Sequence, residues 1–451
     1  MESKNEKMAI ELKWKMQRAE NIAITSDSWT ALTTESYLTI TCYFVAEGKM
    51  VSAVLQTRAM EERHTAENLA EHLKAATQEW GLVGKVIACV HDNATNMVVA
   101  NHRLLEWESV PCFAHTLQLA INDGFKATAI SRLIAACARL GGHFHHSTVA
   151  TVALRKKQEQ QELPRHKLIQ LCKTRWNSVN DMLERLHEQR WAVTAVLSER
   201  TVTKLGDAKT LELTDDNWQT IENILPVLNS LKTATTALCG EAYVPVSMVY
   251  PVTISLLNRH LKPGDDSNKV ADFKKTVATS LRRRMAPADT EMAGKVAQLA
   301  SALDPRHKSL SFLDFDVREA VRHNLAAKFH SLPETNEDQD GAETDSTGPS
   351  EDSVQQVKRK KKDVGLNSFF GEDYGESTTR DELEQYDMEP CIPINEDPLV
   401  WWEEKAKQYP KLTQLARRYL CVPTTSVPAE RVRSCRPYSQ QTQESAVTRA
   451  C

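Results

Sequence analysis

The chain has 451 residues, 41% of them apolar and only 15 glycines, enough for two or three cooperative units and unlike a fibre or a repeat array. It holds no apolar run of about 18 residues, and the opening MESKNEKMAIELKWK lacks the apolar stretch of a signal peptide, so a soluble, unsecreted protein is expected, with no membrane partner. The net charge of −4 conceals a split: residues 333–390 carry 17 Asp/Glu and 6 Lys/Arg, a local −11, and the remainder is +7, which permits a nucleic-acid partner but is also what solvated Lys/Arg faces give.

Taken in chain order, the first segment reads as a sheet. NIAITSD (21–27) is a short apolar run, and SYLTITCYFV (36–45) alternates, with Leu38, Ile40, Cys42 and Phe44 on one face and Tyr37, Thr39, Thr41 and Tyr43 on the other. MVSAVLQT (50–57) alternates again after the tight connection Glu47-Gly48-Lys49. Ala66, Leu69, Leu73, Ala76 and Trp80 form one helical stripe, closed by Gly81 where a C-terminal cap belongs. KVIACVH (85–91) is then a fourth strand, buried on both faces, which a right-handed crossover returns parallel beside the first. In that arrangement Asp27 ends one strand and Asp92 the other, so both carboxylates emerge at the edge where open α/β sheets present their chemistry. They could share divalent metal for phosphoryl transfer, or serve only as helix N-caps.

After residue 100 the pattern turns helical, in HTLQLAINDGF (115–125) and SRLIAACARLGG (131–142), the second ending in Gly-Gly. His143, His145 and His146 read as a helix-end or surface feature. Cys112 and His115 have CxxH spacing, but no second pair accompanies them and none of the ten scattered cysteines forms a CxxC, so packing at the site edge is preferred to zinc. From about residue 177 the stripes Val179, Met182, Leu183, Leu186, then Trp218, Ile221, Leu225, Leu228, Leu231, then Val270, Phe273, Val277, Leu281 predict a helical domain. Residues 333–390 are too acidic and polar to bury a core and read as a disordered linker. The run Lys358, Arg359, Lys360, Lys361, Lys362 within it is either a solvated cluster or a nuclear import signal; nuclear localisation is expected.

The blocks SDSWTALTTESYLTIT, HDNATNM, CFAHTLQLA, TRWNSVNDMLERLHEQRW, LASALDPRHK and DPLVWWEEKAKQYPKLTQLARRYLCVPTTSVPAERV together resemble transposases of the hAT superfamily, and among them the domesticated zinc finger BED domain-containing proteins. The resemblance spans residues 20 to 433 in family order. It implies an α/β RNase H-like core interrupted by a large all-α insertion domain, and an α-helical C-terminal dimerisation segment. The implied boundaries are an N-terminal helix over 1–20, the first part of the core over 21–176, the insertion over 177–332, the linker over 333–390, and the dimerisation segment completing the core over 391–435. It further implies a DDE site of Asp27, Asp92 and Glu430, with Mg²⁺ shared by Asp27 and Asp92 and the cage completed by Glu430. Arg175 and Trp176 match the motif whose Trp stacks on an extruded base, although Trp176 could equally be core.

Two departures from the family shape the functional expectation. Relatives carry a BED zinc finger ahead of the first strand, which is not found here, so DNA binding by this chain is expected to be weak and non-specific. The tail VRSCRPYSQQTQESAVTRAC replaces an apolar stretch; one back-translation of CRPYSQQ read a base out of register gives the family-like AGHIVN, so residues from about 433 are expected to be a frameshift product and 436–451 disordered. Three readings stand: a non-catalytic nuclear protein that forms a homodimer or higher oligomer through its C-terminal segment and binds DNA or chromatin partners as a transcription regulator, an active Mg²⁺-dependent cut-and-paste transposase, and an interaction scaffold that has left nucleic acid behind.

Overall fold

The structure is a computed structural model that describes residues 2–31, 34–172, 175–240, 244–333 and 381–427, without the side chains of residues 2–9. Helix α1 (Glu2–Arg18) leads into strand β1 (Ile22–Thr30), followed by β2 (Ser36–Ala46), β3 (Lys49–Met60), helix α2 (Ala66–Glu79) and β4 (Val86–His91). Helix α3 (Thr95–Arg103) and a short strand β5 (Glu108–Pro111) complete a five-stranded sheet of order β3-β2-β1-β4-β5. The β1–β2 and β2–β3 pairs are antiparallel, and β4 runs parallel to both β1 and β5. The crossover places β4 beside β1 as the apolar patterning requires.

Both faces of the sheet are covered. Ile22, Ile24, Leu38, Ile40, Cys42 and Phe44 pack on α2 and α3 through Leu69, Leu73, Ala76 and Met97. The opposite face, through Ala23, Tyr43, Ala88 and Val90, joins a much larger core built by the helices that follow. The β2–β3 turn has Glu47 at φ 52° and Gly48 at φ 67°, the paired left-handed geometry of a tight hairpin. Gly81 is also left-handed at φ 68°, just past the end of α2.

From Phe113 to His330 the described chain is helical: α4 (Phe113–Phe125), α5 (Thr128–His146), α6 (Thr148–Gln160), α7 (Asn177–Glu188), α8 (Arg190–Ser198), α9 (Leu205–Leu211), α10 (Asp215–Leu238), α11 (Val249–Ser255), α12 (Asn268–Met285), α13 (Val296–Ala302) and α14 (Phe315–His330). The three stripes read from the sequence are the buried ones, from Val179 through Leu231 to Leu281. One expectation fails: Gly141-Gly142 does not end α5, which continues to His146. Gly141 serves packing instead, since a Cβ there would lie 3.2 Å from the carbonyl oxygen of Ile169. His143, His145 and His146 therefore occupy the last turn of α5, the helix end that the sequence assigned them.

The C-terminal region starts inside the stretch expected to be linker. Helix α15 (Glu382–Met388) buries Tyr386 to 1% exposure, which the acidic sequence ELEQYDM hides because its three apolar residues, Leu383, Tyr386 and Met388, form no extended stripe. Helices α16 (Pro398–Glu404) and α17 (Pro410–Leu420) follow. This region is fastened to the turn after α13: Trp402 Nε1 donates to the Leu303 carbonyl at 2.7 Å, Tyr386 OH to the Ala302 carbonyl at 3.2 Å, and buried Lys308 to the Tyr386 carbonyl. Beneath it Asp304 is fully buried and accepts from Arg306 and from Ser247 Oγ at 2.6 Å. Burial alone would raise that carboxyl, but the Arg306 and Ser247 hydrogen bonds and the nearby His307 and Arg306 charges hold it below its ordinary value.

The same region also grips the start of the chain. Gln414 donates to Glu20 at 3.1 Å and Arg418 to Asn21 at 3.1 Å, pairs 394 and 397 residues apart. Glu403 on α16 lies so close to the hairpin that a Cβ on Gly48 would meet its Cβ at 2.8 Å. The basic run from Lys358 to Lys362, Glu430 and the tail 436–451 lie outside the described residues.

Candidate functional site

Asp27 does not end β1, which runs on to Thr30 against β2; it is instead the first residue past the pairing with β4, and the site with Asp92 is built by register. Ser26 is the parallel partner of His91, so Asp27 and Asp92 are the next residues on two adjacent backbones, which lie about 4.8 Å apart in a sheet. Ser26 Oγ faces Cys89 Sγ and Met97 Sδ, both at 3.5 Å, on the α2–α3 side. Side-chain alternation therefore turns Asp27 to the other face, toward α4. Asp27 is 8% exposed. Asp92 Oδ1 accepts the Ala94 N–H at 3.1 Å in a turn ahead of α3, whose N-cap is Ala94 with no side-chain cap bond, so Asp92 is not the N-cap that the capping alternative names, and its second oxygen is not engaged by that bond.

The residues around this edge fix its shape. His91 is fully buried; its Nδ1 lies 2.6 Å from the Asp92 carbonyl, which can only accept, so Nδ1 carries the proton and Nε2 accepts from Ser109 Oγ at 2.8 Å. Burial, more than the Asp92 contacts can offset, lowers its pKa and keeps the ring neutral. The His91–Ser109 bridge ties β4 to β5. Asn93 donates to Thr116 Oγ1 at 3.1 Å, which brings the β4–α3 turn onto the first turn of α4.

Cys112 is the N-cap of α4, fully buried, and its Sγ accepts the Ser426 N–H at 3.4 Å. Burial pushes the thiol up, but the hydrogen bonds and charge from His115, with Ser426, outweigh it and leave the thiol below its ordinary value. The partner of the Cys112–His115 pair is therefore the C-terminal chain. Among the described residues, no group of three or more His, Cys, Asp or Glu is placed to hold a metal.

The segment 421–427 threads between the two parts. It pairs with residues 244–246 through Val246 N to Val422 O at 2.8 Å and Thr424 N to Val244 O at 3.1 Å, and Thr424 O accepts from Phe113 N at 3.1 Å. The described chain thus reaches Ser426 beside the N-terminus of α4, four residues before Glu430. Sequence reasoning missed this segment because Leu420-Cys-Val-Pro-Thr-Thr-Ser426 carries no alternation and pairs only through an isolated bridge of Pro423 with Pro245.

Asp27 and Asp92 suit a hard divalent cation, since both offer carboxylate oxygen from adjacent backbones. Mg²⁺ held there would supply Lewis-acid activation of an attacking water and stabilise charge on a leaving oxygen. Arg175 is exposed at the end of a loop, with its carbonyl accepting from Ser178 Oγ at 2.7 Å. Trp176 differs from the stacking expectation: it is 4% exposed within the main core, so its ring faces are covered by protein and the core alternative describes it.

Comparison with known proteins finds three family models along the chain: the ZBED1 RNase-like domain over residues 25–110, the ZBED1 RNase-like helical domain over 110–227, and the hAT family C-terminal dimerisation region over 382–445. The division at 110 falls at the last strand, where sheet gives way to helix. The chain is 26% identical to human zinc finger BED domain-containing protein 4 over 434 residues, 91% of this chain and 35% of that protein. It is 23% identical to the maize putative AC transposase over 445 residues, 90% of this chain and 52% of that protein, and 26% identical to human zinc finger BED domain-containing protein 6 over 193 residues, 39% of this chain and 19% of that protein. The chain thus spans about a third to a half of the length of the two relatives it matches along most of its own.

Proposed function

Because the chain is a hAT-transposase-derived protein of the BED-finger family, with RNase-like and dimerisation regions, we propose that it forms homodimers in the nucleus and holds DNA or chromatin partners without cutting DNA. The observation that carries this reading is the docking of the C-terminal hAT region on both the helical part and the N-terminal sheet, through Trp402, Lys308, Gln414 and Arg418. A region that dimerises the family is in this way rigidly joined to the fold that handles DNA in transposases. Support for loss of cutting comes from the polar block that follows Glu430 where the family is apolar. Nuclear entry would use Lys358, Arg359, Lys360, Lys361 and Lys362.

The test is incubation with Mg²⁺ or Mn²⁺ and DNA carrying candidate terminal repeats. No cleavage or strand transfer is expected, and cleavage that disappears in Asp92→Ala overturns the proposal. Replacing the five basic residues by Ala in a fluorescently tagged chain should abolish nuclear accumulation, and unchanged accumulation refutes that part. The active-transposase reading is favoured by one observation, the adjacent register of Asp27 and Asp92 on β1 and β4. Under it, Asp27→Asn and Asp92→Asn would each abolish cleavage, with Glu430→Gln behaving alike.

A further inference from the structure

Charge on this molecule is concentrated in one place. Residues 128–175 contain nine Lys/Arg, Arg132, Arg139, Arg155, Lys156, Lys157, Arg165, Lys167, Lys173 and Arg175, against only Glu159 and Glu162, a net of +7. That equals the whole positive excess of the chain outside 333–390; the other parts, −4 over 1–127, +1 over 176–332 and +3 over 391–451, cancel one another. Two of these cations are paired on the surface, Lys157 with Glu199 at 3.2 Å and Arg165 with Glu159. Arg132, Arg139, Arg155, Lys156 and Arg175 are exposed and, among the described residues, enter no ion pair.

The fold arranges them in order. On α5, Arg132, Arg139 and His146 recur every seven residues and are all exposed, so they form one stripe, while Leu133, Cys137, Leu140 and Phe144 bury the opposite side. At 1.5 Å per residue the stripe is about 21 Å long, roughly six base-pair steps of duplex at 3.4 Å each. Ser147 alone separates α5 from α6, whose Arg155 and Lys156 extend the exposed charge. The exposed α5 stripe carries no carboxylate, and on α6 the cations outnumber the single exposed Glu159, which pairs with Arg165.

We propose that the outer face of α5 and α6 is a docking surface for double-stranded DNA, engaging the phosphate backbone with no base readout. This rests on the DNA-holding function proposed above and assigns it a location. Phosphate fits better than an acidic protein because the cations extend in a line about 21 Å long, as a duplex backbone does, and no Trp or Tyr anchor stands among them. Binding by this face is sequence-tolerant and steeply dependent on salt, since each neutralised phosphate adds about 0.9 to the slope of log K against log salt.

The experiment measures binding of the full chain to a 30-base-pair duplex of arbitrary sequence by fluorescence anisotropy across a salt series. Arg132, Arg139, Arg155 and Lys156 are all changed to Gln in one variant, and Lys74, Lys204, Lys209 and Lys262, exposed cations elsewhere, in another. Circular dichroism and a thermal melt confirm that both variants are folded. The first variant should lose affinity at least tenfold and lower the salt slope by about three to four; the second should stay within about twofold of the original chain. If the original chain binds no duplex, the DNA-holding function itself fails. If it binds and the α5–α6 variant matches it, or both variants weaken alike, the location is wrong and the function stands. Polyglutamate that binds this face as tightly as DNA overturns the assignment to nucleic acid.

Discussion

Gly124→Ala should destabilise the protein by wedging apart α4 and α12. Gly124 is buried in the last turn of α4, and an added Cβ would stand 2.6 Å from Val277 Cγ2 and 2.7 and 2.8 Å from Cε2 and Cδ2 of Phe273. All three lie closer than real Cβ contacts come, and none can retreat easily. Val277 and Phe273 are both fully buried, and the Phe273 ring is stacked on Phe125 at 5.6 Å. Relief needs a movement approaching 1 Å between two helices, so overpacking of about 1–3 kcal/mol is expected. A helix-propensity gain of up to about 1 kcal/mol opposes it. Gly142→Ala separates the two terms, because Gly142 also sits in a helix and has nothing within 4 Å of its would-be Cβ. Gly142→Ala should be neutral or stabilising by up to about 1 kcal/mol, and the difference between the two variants isolates the packing cost. A central difference of about 2 kcal/mol corresponds to roughly 6 °C in melting temperature, at about 3 °C per kcal/mol for a domain of this size class. Differential scanning fluorimetry of the pair reads it directly. Equal melting temperatures would refute the close approach of α4 and α12 and with it the joining of the sheet to the helical part.

Three further outcomes are expected. Asp123 is held well below the usual carboxylate range, first by the Lys126 hydrogen bond and, against a burial that raises it, by Ser280 and Arg284. A depressed folded pKa stabilises fully above the unfolded value near about 4 and is lost as pH falls through the folded one, so the stability gap between the original chain and Asp123→Asn should shrink in denaturant titrations below about pH 4. Trp402→Phe should cost about 1–3 kcal/mol, because the Leu303 carbonyl loses its buried donor, and limited proteolysis should then cut first between 381 and 427. Trp176→Ala should destabilise by about 3–5 kcal/mol in urea, as for other buried aromatics; loss of DNA affinity with unchanged stability would instead restore the stacking role.

Much of the sheet was legible because β2 keeps period-two alternation, with Leu38, Ile40, Cys42 and Phe44 on one face, and β1 and β4 are short apolar runs. β5 was not, since Glu108-Ser-Val-Pro111 offers a single buried apolar residue and is held by β4 and by His91, which local pattern does not report. The helical stripes from Val179 onward were legible for the same reason as the strands, at the other period. Gly141-Gly142 misled because glycine in a helix can mean close packing as well as an end. The adjacency of Asp27 and Asp92 followed from topology, whereas the link of Cys112 to Ser426 spans 314 residues and leaves no local trace. Lys308 and Tyr386 were invisible for that reason too: a buried lysine satisfied by a distant carbonyl looks, in sequence, like any surface lysine.

The grip of Gln414 and Arg418 on Glu20 and Asn21 has a consequence during synthesis. At about 5–20 residues per second, a ribosome needs roughly 20–80 s to deliver the last 400 residues, and through that interval β1 has its hairpin partners but not its C-terminal clamp. The nascent sheet must wait with its α4-side face, and Ala23 and Tyr43 on it, exposed to solvent until the helices and finally the clamp emerge. A message that stops before residue 381 therefore yields a chain that is unfinished at its first strand as well as its last helix, and such chains should be held by chaperones and cleared by proteases while the full-length product accumulates.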